Sequence, residues 1–143
     1  MTQARKRSRK SARAAGSRFN REIATYLRDQ LKDEAIIKSP SWGAKDKGDV
    51  WNVRFHGQRV VIETKDVARV CLPQWTEEAN MEAHNAEALA GLVIHKRHGV
   101  SDPGKQWVSC TVDDLVALFT GEPSKRVRER AKDDRADHRD EGD

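Results

Sequence analysis

The segment KGDVWNVRFHGQRVVIETKD, residues 47–66, constrains the fold more than any other part of the chain. Its halves DVWNVRF and QRVVIETKD are rich in β-branched and aromatic residues and meet at the dipeptide HG, which predicts two strands joined by a tight turn. The apolar run RVVI predicts that the second strand is buried. This strand nevertheless ends in Glu63 and Lys65, and Asp49 opens the first strand. Burying an unpaired charge costs free energy, so the charged side chains at the end of this buried strand require a partner or a function.

These charged residues predict a metal site. Side chains alternate along a strand, so Glu63 and Lys65 share one face, and strand pairing brings Asp49 close to Glu63. Two neighbouring carboxylates are tolerated mainly when a cation lies between them. The two carboxylates, together with the backbone carbonyl of Thr64 and waters, suit Mg²⁺ or Mn²⁺.

Metal sites of this composition cleave phosphodiesters. The metal polarises the phosphate and lowers the pKa of a bound water, while Lys65 orients that water or stabilises developing charge. An ordinary salt bridge on a surface hairpin is the alternative, because the spacing D-x13-E-x-K is loose and common.

The remaining elements predict an α/β fold. Residues 17–34 place apolar side chains along one helical stripe, with Ser17 as the N-cap, and AIIKSP is a strand that Pro40 ends. A second helix begins at Pro73 and extends to Ala90. GLVIHKR and QWVSCTV are strands, and DDLVALF is a final helix capped by Asp113. The order is α-β-β-β-α-β-β-α, with a central mixed sheet of about five strands flanked by helices.

Charge divides the chain into three parts. The 143 residues suit one domain, and 27 basic against 23 acidic residues give a net charge of +4. Residues 1–21 contain eight basic residues and no acidic one. We therefore expect a disordered basic arm over residues 1–15, a folded domain over 16–121 and a mixed-charge tail over 122–143, in which a solvated or frayed helix precedes disorder. The arm binds phosphates in one interpretation and is a solvated tail in the other.

The sequence also predicts a cytoplasmic protein that does not enter membranes. No apolar run reaches the length of a membrane span, and the N-terminus has no apolar stretch typical of a secretory signal. Cys71 and Cys110 are the only cysteines and have no CxxC spacing, which argues against a disulfide framework and a thiolate zinc site.

The motifs GD at residues 48–49 and ETK at residues 63–65 resemble those of the PD-(D/E)xK nuclease superfamily, with glycine in place of the usual proline before the aspartate. Within it the chain is most similar to archaeal-type Holliday junction resolvases, through the helix GSRFNRE and the small-residue loop SPSWGAKDKGD, over residues 16–118. The resemblance implies a restriction-endonuclease-like fold and a magnesium-dependent endonuclease. It implies that Glu22 joins Asp49, Glu63 and Lys65 as a catalytic residue. It also implies a homodimer that nicks four-way junctions symmetrically.

The remaining polar, aromatic and basic residues have separate expected roles, and most of the basic ones are assigned to DNA binding. Gln74 follows the ETK strand and either contacts the metal-bound water or simply occupies a first helical turn, and His95 and His98 are expected to be polar edge residues. Trp42, among small residues, is placed where it could stack on an unpaired base or wedge a junction. The expected DNA-binding set is Arg5, Lys6, Arg7, Arg9, Lys10, Arg13, Arg18, Arg21, Trp42, Lys45 and Lys47.

Two other functions remain open. One is another nuclease of the same superfamily that acts on flaps, ends or duplex DNA. The other is a DNA-binding module without catalysis, although a pure binder has no need of carboxylates beside a polyanion.

Overall fold

A computed structural model describes residues 8–40 and 48–140, with backbone only for the last two of these. Over these residues it is an α/β fold with a five-stranded mixed sheet, as the sequence predicted, and it has four α-helices where the predicted order had three. The helices are α1 (Arg9–Leu31), α2 (Leu72–Asn85), α3 (Val112–Thr120) and α4 (Lys125–Asp140). The strands are β1 (Ile37–Lys38), β2 (Val50–Trp51), β3 (Arg54–Phe55), β4 (Gln58–Arg59), β5 (Val61–Lys65), β6 (Gly91–His95) and β7 (Trp107–Ser109).

The main sheet has the order β1-β2-β5-β6-β7. Strands β5 and β6 are parallel, in register from Val61 opposite Gly91 to Lys65 opposite His95, and α2 makes the crossover between them. The other pairs are antiparallel. The sheet therefore places the charged end of β5 beside the end of β6.

The predicted tight turn is confirmed, but the two predicted strands are each divided. His56 and Gly57 both have positive φ, 54° and 73°, as a two-residue turn between β3 and β4 requires. Asn52 also has a positive φ of 69°, which interrupts the first strand and separates β2 from β3. Its side chain donates to the carbonyl of Ala35 at 2.7 Å, so this break is held by a tertiary hydrogen bond.

Helices cover both faces of the sheet. On one face, Phe19 and Ile23 of α1 pack with Ile62 and Ile94 of the sheet. On the other, Trp75 and Ala79 of α2 pack against Val93. Adjacent residues of β5 and β6 thus enter different cores, as strand alternation requires.

Helix α1 begins eight residues before the predicted N-cap. Ser8, not Ser17, is the N-cap, and its side chain accepts a hydrogen bond from the backbone N–H of Ser11 at 3.2 Å. Residues 9–15, which we expected to be disordered, form the first turns of α1, and Ala15 is buried. The Ala, Arg and Lys residues here are strong helix formers, and this local preference prevails over their like charges.

The other helix boundaries also differ in detail. Pro73 lies in the first turn of α2 as predicted, but α2 ends at Asn85 rather than at Ala90. The cap of α3 is Thr111, which forms a capping box with Asp114, so the prediction of Asp113 was wrong.

The C-terminal segment forms helix α4, which packs against α2. Val127 is buried beside Ala83, and Arg130 donates to the Oδ1 of Asn80 at 2.7 Å. Arg130 and Arg126 also pair with Glu77. We expected a solvated or frayed helix here, but these contacts hold the N-terminal half of α4 on the domain. Among residues 8–40 and 48–140, no helix is long and apolar enough to cross a membrane.

Candidate active site

A polar cleft of about 450 Å³ lies between α1 and the carboxyl end of β5. It brings together Asp49, Glu63 and Lys65, which the sequence predicted to converge, and Thr64 also lines it. Its other walls come from α1 and from the segment that follows β1. Those lining residues are Arg13, Gly16, Ser17, Asn20, Lys38, Ser39 and Pro40.

Asp49 is held at the end of β5 by hydrogen bonds. Its Oδ2 accepts from the backbone N–H of Thr64 at 2.8 Å and from the Thr64 hydroxyl at 3.3 Å. Its own N–H donates to the carbonyl of Ile62, and its carbonyl accepts from the N–H of Ser39, both at 2.8 Å. The first carboxylate of the cleft is therefore fixed to both neighbouring strands.

The backbone conformation of Gly48 excludes proline at this position. Its φ is +93°, which proline cannot adopt and other L residues rarely adopt. A Cβ at this position would lie 2.9 Å from the carbonyl oxygen of Ile62. The path that brings Asp49 to β5 therefore requires glycine.

Glu63 and Lys65 differ in their surroundings. Glu63 is buried, with 5% of its surface exposed, at the floor of the cleft. Lys65 is partly exposed, and its Nζ donates to the Oε2 of Glu78 on α2 at 2.8 Å. Gln74 in turn donates to the Oε1 of Glu78 at 3.1 Å.

The surrounding carboxylates keep Lys65 charged. Burial alone would lower the pKa of Lys65, but its hydrogen bond to Glu78 and the attraction of Glu78, Glu63 and Asp49 outweigh burial and raise that pKa. The hydrogen bond from Lys65 lowers the pKa of Glu78, against a smaller opposing effect of burial. Lys65 is thus an ammonium ion at neutral pH.

The structure does not place Glu22 in this cleft. The residues of α1 that face the cleft are Arg13, Gly16, Ser17 and Asn20, which follow the i, i+3, i+4, i+7 spacing of one helical face. Glu22 is exposed and lies two residues beyond Asn20, about 200° further round the helix. The expectation that Glu22 faces inward was therefore wrong, because the resemblance does not fix the helical phase.

The sequence missed Asn20, Lys38 and Glu78. Asn20 is 8% exposed, and its Oδ1 makes no hydrogen bond with the residues that the structure describes. Lys38 reaches the hydroxyl of Ser17 at 2.7 Å. The sequence signal for Glu78 was its position four residues after Gln74, which allows the two side chains to interact on one helical face. Nothing in the sequence linked Glu78 to Lys65.

The expected DNA-binding residues divide into three groups. Arg13 lines the cleft, and Arg18 and Arg21 lie on other faces of α1. Arg9 and Lys10 begin the helix. The remaining members lie outside the described residues, namely Arg5, Lys6, Arg7, Trp42, Lys45 and Lys47.

The two histidines at the strand end have different environments. His95 is buried, not at an edge, bonds to the Ser109 hydroxyl at 2.8 Å and contacts the ring of Trp75. His98 is exposed and bonds to the carbonyl of Val67 at 3.1 Å.

The donors of the cleft fit a hard divalent cation. Within the described part of the chain, no group of three or more His, Cys, Asp or Glu residues forms a metal centre by itself. Asp49 and Glu63 supply carboxylate oxygens, and Asn20 adds an amide oxygen. Mg²⁺ is commonly bound through one or two carboxylates and keeps several of its waters.

Comparison of the chain with protein-family models, with curated proteins and with solved structures found no match. The activity of the protein is therefore argued from the cleft itself.

Proposed function

We propose that the protein is a metal-dependent DNA endonuclease that hydrolyses phosphodiesters in this cleft. The observation that carries the proposal is the convergence of Asp49, Glu63 and Lys65 in one polar cleft. An ordinary surface salt bridge does not explain this arrangement, because Glu63 is buried and Asp49 accepts hydrogen bonds from the N–H and the hydroxyl of Thr64.

Each residue has a distinct role in this proposal. Asp49 and Glu63 would hold Mg²⁺ or Mn²⁺, and the bound ion would supply a polarised phosphate and an acidic water. Lys65, kept protonated, stabilises the negative charge that develops on the phosphate. It is a poor general base, because its raised pKa favours the ammonium form.

The substrate we propose is a four-way DNA junction, nicked symmetrically by a homodimer. Symmetric cleavage needs two active sites that are related by a two-fold axis. An isologous dimer provides such a pair of sites. The alternative is that this protein is a nuclease of the same chemistry that acts on flaps, ends or duplex DNA.

Helix α3 offers the surface for such a dimer. Val112, Leu115, Val116 and Phe119 follow the spacing of one helical face, and Val112 and Phe119 are 76% and 79% exposed. On the adjoining edge strand β7, Val108 is also exposed. Large exposed apolar patches mark interaction sites, and a second copy of the same stripe would cover this one in an isologous contact.

The dimer is tested by mass in solution. Light scattering should give about twice the 16.2 kDa of one chain, and Phe119→Glu should give the single-chain mass. Phe55→Glu, at an exposed phenylalanine on the hairpin, is the matched control and should remain dimeric. A wild-type monomer would remove the symmetric-cleavage proposal but leave the nuclease proposal.

The activity is tested by cleavage of four-way junction, flap, splayed-arm and linear duplex DNA. Cleavage should need Mg²⁺ or Mn²⁺ and stop in excess EDTA. Asp49→Asn and Glu63→Gln should abolish cleavage but retain or strengthen DNA binding, because each removes a negative charge near the phosphate. Glu22→Gln is the matched control, since Glu22 lies outside the cleft, and it should cleave at the wild-type rate.

Two results would contradict the proposal. Cleavage that persists in excess chelator would exclude the metal role. DNA binding without cleavage of any of the four substrates, with either metal present, would instead favour a non-catalytic DNA-binding module.

A further inference from the structure

Gly16 occupies a position where neither the backbone nor the packing requires glycine. It lies within α1, and its φ is not in the positive region. A Cβ built at this position would meet nothing within 4 Å outside the local helix backbone. Glycine inside a helix lowers stability relative to alanine. The open space beside Gly16 belongs to the cleft, so a ligand that approaches the helix backbone would explain this residue.

The wall around Gly16 is cationic and polar. Arg13 lies one turn before it on the same face, and Ser17 accepts a hydrogen bond from Lys38 at 2.7 Å. Asn20, one turn further along, is more than nine-tenths buried, and its Oδ1 has no hydrogen-bond partner among the described residues. Because an amide oxygen accepts hydrogen bonds or binds a cation, a water or the proposed metal ion, and not a phosphate oxygen, would complete the contacts of Asn20.

The two walls of the cleft carry opposite charge. Asp49 and Glu63 repel a phosphate, and Lys65 is bonded to Glu78. Apart from Lys65, which we assign to the phosphate that is cleaved, the lining residues that can attract a phosphate are Arg13 and Lys38. The acceptor of Lys38 is a neutral hydroxyl, so this hydrogen bond leaves its positive charge in the cleft.

We propose that this wall, formed by Arg13, Gly16, Ser17 and Lys38, binds a phosphate of the DNA backbone next to the phosphodiester that is cleaved. Lys38 and Arg13 supply the charge, and the Ser17 hydroxyl donates to a phosphate oxygen while it accepts from Lys38. Gly16 gives the clearance that lets the sugar–phosphate chain approach the helix. This inference rests on the proposed nuclease function at one point only, where it places the bound phosphate next to the phosphodiester that is cleaved.

The test is binding of a short DNA duplex in EDTA, where no cleavage occurs. Gly16→Ala should raise the melting temperature by about 2–4 °C, because alanine is the better helix former, yet weaken DNA binding several-fold. Gly16→Leu should weaken binding further, by about tenfold or more. Lys38→Met should weaken binding and reduce the slope of log K against log salt by about 0.9, the value for one lost phosphate contact.

Thr25→Ala is the matched control, because Thr25 is exposed on the same helix and outside this cleft. It should raise the melting temperature like Gly16→Ala and leave DNA binding unchanged. Circular dichroism checks each fold, and if Gly16→Leu does not fold, Gly16→Ala and Lys38→Met decide the test. Wild-type affinity and salt slope in those two variants would overturn the proposal.

Asp49→Asn separates this inference from the proposed function. It should bind DNA at least as tightly as the wild type, since the phosphate wall is intact. If the wild type cleaves nothing but Lys38→Met loses affinity, the nuclease proposal fails and the phosphate wall stands. If the wild type cleaves DNA and Lys38→Met binds it normally, the phosphate wall fails and the nuclease proposal stands.

Discussion

Replacing Glu78 by glutamine tests how Lys65 is positioned. The substitution keeps the size and one hydrogen-bonding oxygen of the side chain but removes the negative charge that Lys65 contacts at 2.8 Å. Lys65 remains near Glu63 and Asp49, so its ammonium should turn toward them. We expect a small loss of stability together with a larger loss of cleavage.

The stability change follows from the exposure of the pair. The side chains of Lys65 and Glu78 are 24% and 39% exposed, so solvent screens their attraction and the pair contributes about 0.5–1 kcal/mol. For a chain of this size that loss lowers the melting temperature by about 2–4 °C. A double-mutant cycle with Lys65→Met should return a coupling free energy of the same size.

The pH dependence of this stabilisation has a defined sign. Folding lowers the pKa of Glu78, so its contribution is complete above the unfolded value of about 4.3 and is lost as the pH falls through the folded value. Folding raises the pKa of Lys65, so its contribution is complete below about 10.4 and is lost at higher pH. The difference in melting temperature between wild type and Glu78→Gln should be constant from about pH 5 to 9 and shrink below about pH 4.

The effect on cleavage should exceed the effect on stability. A misplaced lysine costs about 10- to 100-fold in rate, and loss of Glu78 lowers the pKa of Lys65 relative to the wild type. The alkaline decline of kcat should therefore move to lower pH in Glu78→Gln. Single-turnover nicking of a junction with saturating Mg²⁺, measured from pH 6 to 10, gives both quantities.

Glu77→Gln is the control for Glu78→Gln. Glu77 is the neighbouring acid on α2, but it pairs with Arg126 and Arg130 of α4. This variant should lose stability without a change in cleavage rate or pH profile. Glu78→Gln with a wild-type rate and an unshifted alkaline limb would refute the positioning role.

Two further predictions concern stability. Gly91→Ala would place a methyl group 2.3 Å from the carbonyl oxygen of Ala79, so α2 and β6 must separate, and calorimetry should show a loss of about 2–3 kcal/mol; an unchanged melting temperature would contradict this packing. Burial lowers the pKa of His95 below its unfolded value of about 6.5, so wild-type stability should fall as the pH drops through 6.5, and thermal melts of His95→Gln between pH 5 and 8 should lack this component. Equal pH dependence in both proteins would show that His95 does not carry the effect.

The features that the sequence predicted correctly depend on local chemistry. The turn at His56 and Gly57 follows from residues that tolerate positive φ, and Pro73 fits a first helical turn. Side-chain alternation placed Glu63 and Lys65 on one face of β5, and strand pairing brought Asp49 to its end. Each of these predictions needed only neighbouring residues or one strand pair.

The features that it missed depend on tertiary contacts. The break at Asn52 is held by the carbonyl of Ala35, which no local pattern indicates. Asn20 and Glu22 flank the buried stripe of α1 on opposite sides, and the helical pattern does not indicate which side borders the cleft. Glu78 reaches Lys65 only because the crossover places α2 beside the end of β5.

The short antiparallel pair of β1 and β2 links the two halves of the cleft. Lys38 is opposite Val50 in this pair, and the N–H of Ser39 donates to the carbonyl of Asp49 at 2.8 Å. The strand that carries the cation is therefore hydrogen-bonded to the segment that carries the first carboxylate. Because the N–H of Asp49 also donates to the carbonyl of Ile62, main-chain hydrogen bonds set the separation between the backbone that carries Lys38 and the backbone that carries the proposed metal ligands. A fixed separation of this kind is what in-line attack on a bound phosphodiester requires, since small displacements of the reacting groups cost large factors in rate.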